Sequence, residues 1–394
     1  MTETVPPARG ESFPLGAGLT VDQLSDQPHA HLARLRADEP VSWVPAIGAW
    51  LVTRYDLALD VMRDSTTFTV DDPGFSTAQV VGPSMLSLDG DAHDRNRAPF
   101  AAPLRPDAAR KRFTRVVTLN IGRLLHELDP AAGAELRRGF AGPLAAAVLG
   151  YALGLAPDDG PHLIDLYDRI VSGVTAISGG GQLPADASDA FAALDAVLRE
   201  RLDRGADGSV LQAATHSELS TEQLISNAAV LLFGGIETTE GMIANAVLAL
   251  LEHPEAVAQV RARPELVDAA LEESLRLEPA AAAVDRYAKA DITLERGRIR
   301  SGELVRVSLG AANRDPAVFE NPDRYDLARA NVRRHLAFAA GPHVCLGVHL
   351  ARLEARLALR AMLERFPALR LDPASESAVS GLVFRKPASL HVLW

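Results

Sequence analysis

Apolar side chains recur at helical spacing along most of the chain. Leu32 and Leu35 lie on an early helix that stops before Pro40, while Val41-Ser-Trp43 and Trp50-Leu-Val52 read as strands of a small sheet. Residues 71–88, with Asp72-Pro-Gly74 and Gly82-Pro-Ser84, predict one long loop. Helical periodicity then runs through 106–127, 137–155, 160–177 and 187–204, and Gly179-Gly-Gly181 with Pro184 forms a candidate hinge between the last two. Ser220 and Gln223 make a capping box at the head of a longer helix that runs to His253-Pro254. At a rise of ~1.5 Å per residue it spans roughly 50 Å, enough to cross a whole domain. A helix over 264–278, β-type alternation over 284–310 and a last helix from near Cys345 to Pro367 complete the pattern. The expected fold is mainly α with a minor β region. Residues 1–20 form a flexible arm and 21–394 a single domain. No glycine-rich strand-to-helix turn of a dinucleotide-binding domain is present.

Composition narrows the function. Of 394 residues, 47% are hydrophobic and 23% charged, which excludes a disordered or collagen-like chain. The net charge of −11 argues against nucleic acid as the partner. The N-terminus lacks the pattern of a signal peptide. The longest uncharged stretch, Phe140 to Pro157, is rich in Ala and Gly and interrupted by Pro143, so a buried helix is expected there and no membrane span. A single cysteine, Cys345, excludes an internal disulfide and fits a cytoplasmic protein.

Four segments carry polar groups that need a reason. In Phe338-Ala-Ala-Gly341-Pro-His343-Val-Cys345-Leu-Gly347, two glycines flank the lone thiol at the mouth of a helix. The amides of a helix N-terminus favour a thiolate, and glycine lets a flat ligand approach the backbone. The segment suits a thiolate bound to a metal macrocycle, or an inert buried cysteine in a turn. Gly234-Gly235-Ile-Glu237-Thr238-Thr239 interrupts the apolar run of the long helix. Its glycines cost roughly 2 kcal/mol of helix propensity, which a packing notch or a functional site would explain. Glu273 and Arg276 share a helix face, where an exposed pair contributes only about 0.2–0.5 kcal/mol. His93 and Arg97 stand one helical turn apart behind Asp89-Gly90-Asp91.

Together, and in this order, these segments resemble the cytochrome P-450 haem-thiolate monooxygenases of the bacterial class. The cysteine segment is similar to their haem-binding signature, with Ala339 where the family commonly has Gly or Ser. The resemblance implies a triangular-prism fold and haem b (iron protoporphyrin IX), with Cys345 as the axial iron ligand. It assigns Phe338, Gly341, His343 and Gly347 to the haem loop, and His93, Arg97 and Arg286 to the haem propionates. Gly234 and Gly235 would widen the long helix over the iron, while Glu237 and Thr238 would relay protons. Glu273, Arg276 and Arg324 would form a structural triad that locks the cysteine loop.

The implied reaction is oxidation, as hydroxylation, of a hydrophobic small molecule by dioxygen. Electrons would come from a separate ferredoxin and its reductase. Those donors would dock on a face carrying Arg110, Lys111, Arg112, Arg333, Arg334, Arg352 and Arg356. The pocket is expected to be lined mostly by small, apolar residues with no obvious charged clamp, with Ala282 and Ala283 bordering the substrate. The same scaffold could instead run ring coupling, nitration or dehydrogenation, or serve as a haem sensor. A Cys345/His343 hydrolase is the haem-free alternative.

Overall fold

The computed structural model describes residues 9–128, 133–156, 160–205 and 208–394. Its principal helices are α1 (Pro28–Asp38), α2 (Tyr55–Arg63), α3 (Ser76–Val81), α4 (Gly90–Ala101), α5 (Pro106–Glu127) and α6 (Gly142–Leu153). They continue with α7 (Gly160–Ser178), α8 (Ala185–Asp203), α9 (Thr221–Leu251), α10 (Pro254–Ala262), α11 (Val267–Leu277) and α12 (Val348–Arg365). A five-stranded sheet is built from β1 (Val41–Val44), β2 (Ala49–Val52), β3 (Phe68–Thr69), β4 (Ala283–Ala288) and β5 (Leu304–Ser308), in the order β1-β2-β5-β4-β3. Only the β2–β5 pairing is parallel. Three smaller sheets flank it.

Helix α9 is the axis of the molecule. Its capping box forms as expected, with Ser220 Oγ accepting from Gln223 N at 3.3 Å and Gln223 Oε1 accepting from Ser220 N at 2.9 Å. It is buried on nearly every side because α6, α8, α11 and α12 all pack on it, so it needs no polar stripe along most of its length. The uncharged stretch from Phe140 becomes α6, whose side chains are almost all buried against α5, α7 and α9. Among the described residues, no helix is long and apolar enough to cross a membrane.

Two expectations need revision. Residues 71–88 are not one loop, because α3 forms within them and buries Thr77, Val80 and Val81. The arm expected over 1–20 is packed from Phe13 onward. Phe13 lies edge-on to Trp50 at 5.1 Å, and the amides of Leu15 and Gly16 donate to the Glu39 carboxylate at 3.0 and 3.1 Å. Residues 1–8 lie outside the described residues.

The cysteine loop is tied to α11 by a fully buried ion cluster. Glu273 and Arg276 are both 0% exposed, and the guanidinium grips the carboxylate through Nε (2.8 Å) and Nη2 (2.7 Å). The third member is Arg329, whose Nε donates to Glu273 Oε1 at 2.9 Å, and not the expected Arg324. Arg324 is exposed and contributes its carbonyl, which accepts from Arg276 Nη2 at 3.0 Å and from Arg329 Nη2 at 3.2 Å. Losing Arg329 takes a charged donor from Glu273 and from the carbonyls of Glu320, Asn321 and Arg324, at a cost of about 3 kcal/mol. Arg329→Met is therefore expected to lower the unfolding free energy by about that much in chemical denaturation. Arg324→Met should change it by under about 0.5 kcal/mol, and equal losses would contradict the assignment.

Candidate active site

Between α9 and the cysteine loop lies a cavity of about 320 Å³. One wall is the face of α9 that carries Val230, Phe233, Gly234, Gly235, Thr238 and Thr239. The cysteine loop and the first turns of α12 face it with Phe338, Cys345, Leu350 and Glu354. Cys345 lies deep in the fold yet is part-exposed, and it lines this cavity. Its amide donates to Phe338 O at 2.9 Å, closing the turn that carries the sulfur. Burial pushes the Cys345 thiol up, while the Gly347 amide, Arg97 and Arg352 pull it down.

The turn has an unusual backbone. Ala339 adopts φ +58°, a left-handed conformation that costs an alanine roughly 1 kcal/mol. Gly341 sits at φ +75°, and a Cβ there would lie 2.4 Å from the carbonyl oxygen of Met62 in α2. Glycine is obligatory at 341 for two independent reasons, whereas Ala339 only carries strain.

Three buried nitrogen atoms beside this cavity have no partner: His93 Nε2, His343 Nδ1 and Arg286 Nη2. The two imidazoles are 4.5 Å apart between centroids. His343 Nε2 is held by Asp89 Oδ1 at 2.8 Å, and Asp89 also accepts from Thr69 Oγ1 (2.6 Å) and Val70 N (3.0 Å). Burial, Arg286 and His93 push the His343 pKa below its ordinary value, against the pull of Asp89. Arg97 is half-buried and donates to Val344 O at 2.6 Å, beside the cysteine. Orphaned buried donors cost free energy unless a ligand satisfies them. A flat macrocycle with two carboxylates and a thiolate-bound metal fits this set: the carboxylates would answer the His and Arg groups, and Cys345 would supply the sulfur.

The two glycines of α9 do different things. A Cβ at Gly235 would come within 2.9 Å of Leu149 in α6, so Gly235 is a helix-packing notch. A Cβ at Gly234 would meet nothing within 4 Å. The helix continues unbroken through both, and Thr238 Oγ1 donates to the Gly234 carbonyl at 2.6 Å.

Thr238 lines the cavity; Glu237 does not. Adjacent helical residues point about 100° apart, which turns Glu237 toward α7 and the C-terminal strands. There the buried Glu237 accepts from the Tyr167 hydroxyl and from Lys386 Nζ (2.8 Å). Lys386 also binds Glu240, one turn further along α9. Arg137 Nε and Arg138 Nη1 approach Glu240 at 3.5 and 3.4 Å, and Arg138 pairs with the part-exposed Asp168 at 2.6 Å. Gly142 leaves space for this carboxylate, since a Cβ there would lie 2.8 Å from Glu240 Oε1. Burial beside two carboxylates holds Tyr167 far above the usual phenol range, so at neutral pH it acts as a donor.

Several of these residues were not singled out by sequence reasoning, although signals existed. Lys386 is one of three lysines in a chain with 37 arginines, and Glu240 is a second acid in an apolar stretch of helix. The cavity also differs from the expected one, because the Asp285 carboxylate borders it. Ala282 turns away, with its amide donating to Val383 O at 2.8 Å, while Ala281 and Ala283 face inward. Arg352 is not a free docking group. It grips Glu272 at 2.7 and 2.8 Å and covers the Phe338 ring at 4.6 Å. Burial alone would raise Glu272, but His335 and Arg352 bring its pKa down to about 2.

A cavity with one thiol at its floor, unfilled His and Arg donors at its edge and an alcohol-bearing helix above defines a haem-thiolate oxygenase site. The family model described as Cytochrome P450 matches residues 188–377. Nocardicin C N-oxygenase of Nocardia uniformis subsp. tsuyamanensis is 34% identical over 97% of this chain and 98% of its own. Cytochrome P450 monooxygenase PikC of Streptomyces venezuelae is 34% identical over 91% of this chain and 88% of its own. A solved structure of P450BioI, in complex with an acyl carrier protein ligated to hexadec-9Z-enoic acid, superposes with a TM-score of 0.84 at 30% identity, covering 93% of this chain and 98% of that one. The chain belongs to the cytochrome P450 family and is a haem-thiolate monooxygenase; proteins of this family bind haem b.

Ala339→Gly is expected to raise the unfolding free energy by about 1 kcal/mol, since glycine relieves the left-handed strain. Gly341→Ala should destabilise the protein and lower its haem content through the clash with α2. Denaturation curves and haem-to-protein ratios of the two variants check both signs.

Proposed function

We propose that this enzyme inserts oxygen into a hydrophobic small molecule, with hydroxylation as its principal reaction and electrons delivered by a separate ferredoxin and reductase. The observation that carries the reading is the cavity itself, apolar along most of its walls and bounded by Cys345 on one side and Thr238 on the other. Haem bound there supplies reductive activation of dioxygen, with the Cys345 thiolate favouring cleavage of the O–O bond. Cys345 would hold the metal through its sulfur. His93, His343, Arg97 and Arg286 would hold the carboxylates, and the apolar walls exclude bulk water while orienting the substrate.

Proton supply falls to α9. Thr238 Oγ1 is on the cavity wall, and its hydroxyl can leave the Gly234 carbonyl to donate into the cavity or hold a water there. Glu237 takes up a proton arriving from solvent and passes it to that hydroxyl, which hands its own on into the cavity. To do so it must release Lys386, whose ammonium remains neutralised by Glu240, so the exchange does not strand a buried charge. Asp168 and Arg138 connect this network to the surface.

Thr238→Ala should retain haem and substrate binding and still consume reductant, yet release hydrogen peroxide in place of much of the product. A general acid or base commonly contributes about 10²–10⁴-fold, so Glu237→Gln should slow turnover by at least the lower figure. Full coupling in Thr238→Ala, measured as product formed per NAD(P)H consumed, would remove the hydroxyl from the relay.

The donor is expected to be acidic and to meet Lys111 and Arg333, both exposed. Exposed charges are screened beyond roughly 8 Å at physiological salt, so their effect is on association rate. Lys111→Glu with Arg333→Glu should slow stopped-flow reduction by ferredoxin at low salt, and the difference from the parent enzyme should fade as salt rises. A rate insensitive to both charge and salt would place the docking face elsewhere.

A further inference from the structure

Two carboxyl groups border the cavity. Glu354, on α12 near the cysteine, is buried without a partner for Oε2, and burial holds its pKa well above the usual carboxylate range. Asp285 is different. It projects from β4 on the face opposite to Arg286, since successive strand residues alternate. Its cross-strand partner is Arg306 of β5, which donates to both carboxylate oxygens through Nε (2.7 Å) and Nη2 (2.8 Å).

The pair is oriented. Arg306 is 1% exposed and does not line the cavity, whereas the Asp285 side chain keeps 16% of its surface accessible and its residue does line it, so the guanidinium stands behind and the carboxylate in front. A carboxylate offers about four acceptor sites, and Arg306 occupies two of them. Nothing else among the described residues donates to this side chain at hydrogen-bond distance. The surroundings are built as well. Arg306 Nη2 also donates to the carbonyl of Ser178, the last residue of α7, at 3.3 Å. Ser178 Oγ in turn donates to Ser76 Oγ, at the start of α3, at 3.0 Å. Both serines line the same cavity.

We propose that Asp285, backed by Arg306 and flanked by Ser76 and Ser178, is a specificity-determining group that binds a hydrogen-bond-donating head, a hydroxyl or an ammonium, on an otherwise apolar substrate. The inference rests on the reading that this cavity takes the small-molecule substrate. A substrate with such a head is held at the end near α3 and α7, with its apolar body extending along α9. A carboxylate head is disfavoured, because it meets Asp285 while the guanidinium stays out of reach.

The test uses haem-loaded enzyme and three probes of equal chain length: dodecan-1-ol, N,N-dimethyldodecylammonium and dodecanoate. Binding is read both by equilibrium dialysis and by the haem spin-state shift. The alcohol and the ammonium should bind at least about tenfold more tightly than dodecanoate, the lower range for a charge-assisted hydrogen bond. Asp285→Asn should bring the three affinities within about threefold of one another. Because that variant strands a buried guanidinium and could unfold, Asp285→Leu with Arg306→Leu removes the pair together and should give the same levelling. Dodecanoate binding tightest, or an unchanged order in the double variant, would overturn the assignment of Asp285. Failure of all three chains to bind the parent enzyme would instead overturn the reading of the cavity as an apolar substrate site, and the inference with it.

Discussion

The buried carboxylate of Glu273 is the point on which the rest of the architecture turns. One carboxylate of α11 binds two arginines, and those arginines bind the carbonyls of Asn313, Glu320, Asn321, Pro322 and Arg324. Burying three charges is costly, and the return is geometric more than energetic, because no other arrangement of that chain satisfies all of them. The segment so fixed leads directly into the cysteine turn. Its neighbour Glu272 repeats the device, holding His335 and Arg352 and through Arg352 the Phe338 ring. Cys345 therefore sits on a turn whose position is set by two adjacent carboxylates of one helix.

That rigidity supports a site that is itself unfavourable. The turn holds an alanine in a left-handed conformation, and three buried donors around the cavity lack partners. Helix α9 gives up packing at Gly234 and buries two acids, Glu237 and Glu240. Each of these opposes folding, and together they mark where ligand binding, and not the apoprotein, completes the structure. The offsetting stability comes from the core that encloses α9.

Much of this was legible in the sequence. Helix ends with strong chemistry, such as Ser220 with Gln223 and the Pro-bounded helices, were readable because capping is local. The cysteine turn was readable because a lone thiol between two glycines has few uses, and family resemblance supplied its company in space. Arg324 was the wrong choice for the ion cluster because Arg324 and Arg329 are alike in one dimension; only the turn between them decides which side chain points inward. Helix α3 was missed because two Pro/Gly turns bracket a segment of six residues, too short for periodicity to show.

The sequence by itself determined the class of chemistry: one thiol between two glycines, a glycine pair, and an acid–alcohol pair on a helix long enough to cross the fold. Those are statements about residue type and short spacing. Tertiary structure alone decided which groups meet across long separations. It turned Glu237 away from the cavity toward Lys386, 149 residues on, and paired Arg306 with Asp285 at the cavity wall. The reason is that a side chain's direction follows from the helix phase or strand face it occupies, while its partner follows from how the elements pack, and neither is written in the spacing of the residues themselves.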